Sequence, residues 1–208
     1  MSTEGGTKAV VAALMANLGI AVTKFAAFAV TGFSSMLAEG VHSLADSGNQ
    51  VLLLFGGKKA RKGATEQHPF GYGRERYFWA FVVSIVLFLV GGLFALYEAW
   101  HKWHEAGAGH DSASLGWKQW VPVVVLVVAI GLESLSFRTA ITESNHVRGR
   151  RGWAEFVRSA KAPELPVILL EDFAALLGLV FALFGVVMTI ITGNVLWDAL
   201  GTGLIGTL

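Results

Sequence analysis

The sequence predicts an all-α polytopic membrane protein, a single domain over residues 1–208 built as a bundle of six transmembrane helices with the sixth cut short. Three observations carry this expectation. Hydrophobic residues make up 54% of the chain and charged residues only 15%, with a mean hydropathy of +0.57. Several apolar segments exceed the roughly 20 residues that cross a bilayer core. Short polar or basic connections separate these segments, so the lipid bilayer is the first partner implied.

Composition also excludes several function classes. A net charge of +1 shows no acidic or basic excess that would point to nucleic acid. The absence of cysteine removes disulfides, iron–sulfur clusters and thiolate metal sites, leaving imidazole and carboxylate as the strong ligands. Residues 1–7, MSTEGGT, lack the basic region and cleavage site of a signal peptide, so the first apolar run is expected to be retained as a span.

The first span covers about 8–30 and carries Asn17 and Lys24. Asn17 suits either interhelical hydrogen bonding or a functional cavity, and Lys24 is close enough to the far end to snorkel. The second span, 34–57, is apolar except for Glu39, His42, Asp46, Asn49 and Gln50. His42 and Asp46 are four apart and therefore one turn apart on one helical face. Lys58, Lys59, Arg61 and Lys62 close this span, followed by the Gly-rich aromatic loop HPFGYGRERY. The third span, 78–100, ends in Tyr97, Trp100 and Trp103, an aromatic girdle of the kind found at membrane–water interfaces.

Residues 101–119 read as a polar loop with His101, His104, His110 and Asp111, either solvated or a weak metal-capturing vestibule. The fourth span, 120–140, bears Glu133, suited to a local ion pair near the membrane edge or to lining a path. A basic connection, 143–161, leads to the fifth span, 163–192, which holds Glu171 and Asp172. The last segment, 195–208, reaches only about 21 Å at ~1.5 Å per residue, short of a ~30 Å bilayer core. The two connections richest in Lys and Arg lie on one side, which is expected to be cytoplasmic together with the amino terminus.

Measured from the last cation at the basic end of each span, Asp46 is twelve residues from Lys58 and Asp172 eleven from Lys161. Both therefore lie roughly 17 Å along their helices, near the midplane. A carboxylate there costs at least about 2.5 kcal/mol on insertion scales, so two at one depth imply a shared cation. Imidazole with carboxylates suits a divalent metal, zinc above all. A buried His–Asp pair serving as structural glue, or a proton relay for another substrate, is the competing reading.

HSLAD in the second span, HPFGYGRER in the loop and LLEDFAALLG in the fifth span resemble the cation diffusion facilitator family of metal/proton antiporters, particularly the branch that writes its fifth-span motif Leu-Glu-Asp. The resemblance implies a four-ligand transport site, with His42 and Asp46 as the second-span pair and Asp172 from the fifth. The fifth-span partner four residues earlier, a histidine in the family, is Ile168 here. Glu171, Asn17 or a water is then expected to complete the set, although Glu171 stands about 100° round the helix from Asp172. Tyr72 occupies the family's second loop ligand, so no loop site is expected and His68 is assigned to organising the loop.

The resemblance implies a secondary transporter, not an enzyme, without a resident cofactor. It would export zinc, with manganese, cadmium, cobalt or iron(II) as further candidates, from the cytoplasm by alternating access in exchange for protons. Family members carry a cytosolic carboxyl-terminal domain that has no counterpart in these residues, so a homodimer is expected to rest on spans and loops. The expected location is multi-pass in a bacterial inner membrane. A non-transporting metal sensor or assembly subunit with the same site is the alternative. An intramembrane hydrolase lacks a nucleophile, because Ser43, beside His42, faces about 100° away.

Overall fold

A computed structural model of the chain describes residues 4–31, 34–107 and 116–208. Its long helices are α1 (Glu4–Thr31), α2 (Ser34–Ala60), α5 (Val121–Arg148) and α7 (Glu164–Thr192). A further run is composite: α3 (Glu75–Val86), a π-helical segment Leu87–Leu93, and α4 (Phe94–Gly107). The short helices α6 (Trp153–Ser159) and α8 (Leu196–Thr207) complete the chain, which is an all-α membrane bundle. Among the described residues, four stretches are long and apolar enough to cross a membrane: Gly6–Val30, Glu75–His104, Val121–Arg148 and Glu164–Thr192. At 27 residues α2 is of comparable length, but its polar stripe dilutes its hydropathy.

Local chemistry sets the helix ends. Pro122 opens α5, where its missing N–H is no loss. Gly193 closes α7 in the left-handed conformation at φ 69°, its N–H bonded to the Thr189 carbonyl. Two elements differ from the sequence reading. The polar stretch after Trp100 continues as helix to Gly107, so His101 and His104 lie on α4 and not in a loop. Ala, Lys and Glu in AWHKWHEAG favour helix even where the composition is polar. His110 and Asp111 fall outside the described residues. Likewise α5 runs past residue 140 to Arg148, and α6 forms within the basic connection.

α1 packs on α2, α5 and α7, while α7 also packs on α5 and α8. The composite run serves two neighbours, α3 lying on α2 and α4 on α8. Ion pairs fasten both ends of that run. Lys59–Glu75 at 3.0 Å and Arg76–Glu164 at 3.6 Å tie α3 to α2 and α7. At the other end Lys102 reaches Asp198 at 2.9 Å and Glu98 at 3.3 Å, joining α4 to α8.

Two apolar clusters bracket the middle of the bundle. Toward the basic end, Val10, Ala13, Leu53, Ala80, Val83, Ala140, Ile168 and Leu169 pack together. Toward the aromatic end, Ala27 and Val125 pack with Phe28 and Val121. Between these clusters α1, α2, α5 and α7 bury polar side chains, Asn17, Lys24, Ser43, Ser47, Asn49, Gln50, Glu133, Ser136 and Asp172, beside the small or aliphatic Ala16, Ile20, Ala21 and Ala129. That layer holds the candidate site.

Candidate functional site

The α2 stripe presents its members to different surroundings. His42 Nε2 stands 3.7 Å from Asp46 Oδ2, with the two side chains 30% and 22% exposed. Ser43, Ser47, Asn49 and Gln50 turn inward and are buried. Glu39, one turn before Ser43, has its side chain outside the described set. Lys24 on α1 donates from Nζ to Ser43 Oγ at 2.9 Å, so it is committed inside the bundle instead of snorkelling outward.

One step toward the basic end, a hydrogen-bonded series crosses three helices. Asn17 Nδ2 on α1 donates to Gln50 Oε1 at 3.4 Å, and Gln50 Nε2 donates to Glu171 Oε1 on α7 at 2.9 Å. The amide of Gln50 thus spans the two residues expected to compete for the fourth ligand position. Asp172 turns toward α5, where Ser136 Oγ donates to its Oδ2 at 2.7 Å. Asp172 Oδ1 and Glu171 Oε2 are buried without a donor. An acceptor left bare in this way calls for a cation, a proton or a water.

Glu133 joins the same layer from α5, only 2% exposed. It lies three residues from Ser136 and so on the same face of the helix. Asp172 and Asp46 repel its charge and Lys24 attracts it. Glu171 in turn is repelled by Asp46, Asp172 and Glu133. Four carboxylates from three helices therefore act on one another across the layer. At this depth such an arrangement favours whatever positive charge can enter.

Asp46, Asp172, Glu171 and Asn17 are all found in this layer, His42 lies at its edge, and Glu133 is the member that sequence reasoning did not select. Among the described residues, no three His, Asp or Glu side chains stand close enough to hold one ion in this arrangement. Ile168 is fully buried within the basic-end apolar cluster, one turn below Asp172. In the loop, His68 pairs its backbone with Thr65 and stacks on Tyr72 with ring centroids 4.3 Å apart. Gly71 takes φ 71° at the turn between them.

A cavity of about 680 Å³ opens at the basic end, lined by Lys58, Arg61, Arg76, His146, Lys161 and Glu164 among others. Val10 and Leu53 form part of its wall and also belong to the apolar cluster beneath the polar layer. Along α2 the order is Gln50, Leu53, then the cavity at Gly57 and Lys58.

The family model described as the cation efflux transmembrane domain matches residues 10–208. The chain is 32% identical to the mitochondrial proton-coupled zinc antiporter SLC30A9 of Mus musculus, an alignment covering 99% of this chain and 35% of that protein. It is 27% identical to metal tolerance protein C4 of Arabidopsis thaliana, over 100% of this chain and 44% of the relative. Magnetosome protein MamB of Magnetospira sp. (strain QH-2) is 31% identical over 61% of this chain and 40% of its own length. The chain thus spans less than half the length of these curated relatives.

Proposed function

The chain belongs to the cation efflux family, whose members are transporters and not enzymes, and from that premise we propose that it carries a divalent metal cation, zinc foremost, across a membrane in exchange for protons. The observation that carries this reading is that Asp46, Glu171 and Asp172 act on one another within one layer of the bundle, with Asp172 Oδ1 and Glu171 Oε2 bare and His42 3.7 Å from Asp46. Zinc draws further support from the relatives, since the mouse protein is named a proton-coupled zinc antiporter.

Chemistry links the two transported species. A metal binds neutral imidazole and ionised carboxylate, so loading displaces protons and unloading takes them back. Ser136 holds the Asp172 carboxylate by one oxygen and leaves the other for the ion. His42 and Asp46, the partly exposed members, are the first groups an ion would meet in this arrangement. Toward the basic end, Val10 and Leu53 close the route to the cavity, so access from that side requires the apolar cluster to part. The basic end is the proposed cytoplasmic side.

Zinc flux into vesicles reconstituted with the chain, measured with and without an imposed pH gradient, tests the proposal. Flux that the gradient drives and that Asp172→Asn abolishes is the expected result. A chain that binds zinc yet passes none is instead a sensor or assembly subunit. Flux unaltered by both the gradient and the substitution would overturn the reading.

A further inference from the structure

We propose that Glu133 is the ligand that takes the place of the imidazole missing at position 168, giving the transported ion a sphere of three carboxylates, Asp46, Glu133 and Asp172, with His42 as its single nitrogen. The proposal rests on the transport reading and adds to it a residue and a selectivity.

Position carries the first part of the argument. Glu133 is buried in the middle of α5, and its face is fixed by Ser136, which already reaches Asp172. Asp172, Asp46, Glu171 and Lys24 are charges that act on it. The buried acceptors that face this layer without a donor are Asp172 Oδ1 and Glu171 Oε2. A buried carboxylate without a donor is tolerated where an ion visits it.

Elimination carries the second part. Asn17 and Glu171 Oε1 are engaged by the two ends of the Gln50 amide, so Glu171 has only its bare Oε2 to offer. Ile168 is sealed in the apolar cluster and carries no ligating atom. Glu133 has no such engagement and comes from a third helix, so that α2, α5 and α7 would all hold the ion. Because no three of these groups share an ion's sphere in the present arrangement, loading draws the carboxylates of α5 and α7 toward Asp46. The Lys24 ammonium offsets the carboxylate charge that a divalent ion leaves over.

The consequence is selectivity. One nitrogen among carboxylate oxygens narrows the advantage of zinc and admits manganese, which oxygen ligands suit. The rival structural role is that Glu133 serves only as a counter-charge for Lys24.

Calorimetric titration of the purified chain with zinc and with manganese, alongside thermal unfolding, separates the two. Glu133→Gln, nearly isosteric, is expected to weaken zinc binding at least tenfold and to shrink the zinc-induced rise in Tm, while the metal-free Tm holds or rises. Glu133→His is expected to restore zinc binding and to move the zinc-to-manganese ratio about tenfold toward zinc. Unchanged affinity and ratio in both variants would overturn the proposal, as would a fall in metal-free Tm with binding intact, the signature of a counter-charge. Asp172→Asn serves as the control: if it binds zinc as the unaltered chain does, the transport site itself is misplaced, a failure distinct from that of Glu133.

Discussion

Ser136 on α5 holds Asp172 on α7 through a 2.7 Å hydrogen bond to one carboxylate oxygen, while the other oxygen lies buried with no donor. The contact orients the acid without satisfying it. Removing the acid and removing its orienting group should therefore have different effects.

Asp172→Asn and Asp46→Asn are each expected to abolish zinc transport while the metal-free fold remains as stable or gains, because one buried charge disappears. Ser136→Ala should leave the charge and lose the orientation, costing about tenfold in zinc affinity, the lower end for groups that position a ligand. Flux assays paired with thermal unfolding check both. Wild-type flux in the two Asn variants would move the site out of this layer.

Zinc binding should weaken as the loading side is acidified from about pH 7.5 to 5.5, the range in which a free imidazole gains its proton. The sign follows from the ligands, which bind metal only after giving up protons, so affinity falls as pH falls. Titrations of the unaltered chain and of His42→Ala at several pH values measure it. A profile that is flat in both would remove His42 from the site.

Triple replacement of His101, His104 and His110 by Ala should leave maximal flux almost intact. His104 hydrogen-bonds the Trp100 carbonyl at 2.9 Å, and its ring packs on Trp100 at the aromatic end of α4, away from the polar layer. Loss of flux in the triple variant would make that end part of the pathway.

Ile168→His places a polar ring among Val10, Ala13 and Leu53. The metal-free protein should lose about 1–3 kcal/mol, the usual cost of an unpaired buried polar group. Denaturant unfolding reads the loss directly. A simultaneous rise in the zinc-to-manganese ratio would show that the new ring reaches the ion, and an unchanged ratio would place residue 168 beyond its reach.

The helices and the pair His42 and Asp46 were legible because both are local: apolar length marks a span, and a spacing of four marks a face. Asp172 was legible from depth, counted from the nearest cation. Glu133 was visible only as an acid in a fourth span, since its role depends on α5 packing against α1 and α7, which leaves no trace in nearby residues. The Gln50 amide is similar, because its two partners are 33 and 121 residues away. Residues 101–107 were misread because polarity is shared by loops and by helix ends at a membrane surface.

The π segment at Leu87–Leu93 changes how the third span is to be aligned with others. Such a segment holds one residue more than the α-helical turns it replaces, and one residue corresponds to about 100° of rotation. That surplus sets the bearing of α4 relative to α3, so a single run can address α2 with its first half and α8 with its second. A helical wheel drawn continuously from residue 75 to 107 would therefore assign the wrong face to everything beyond the segment. A natural variant lacking one residue here would turn Lys102 away from Asp198, and would keep the α4–α8 contact only if α8 were re-phased to match.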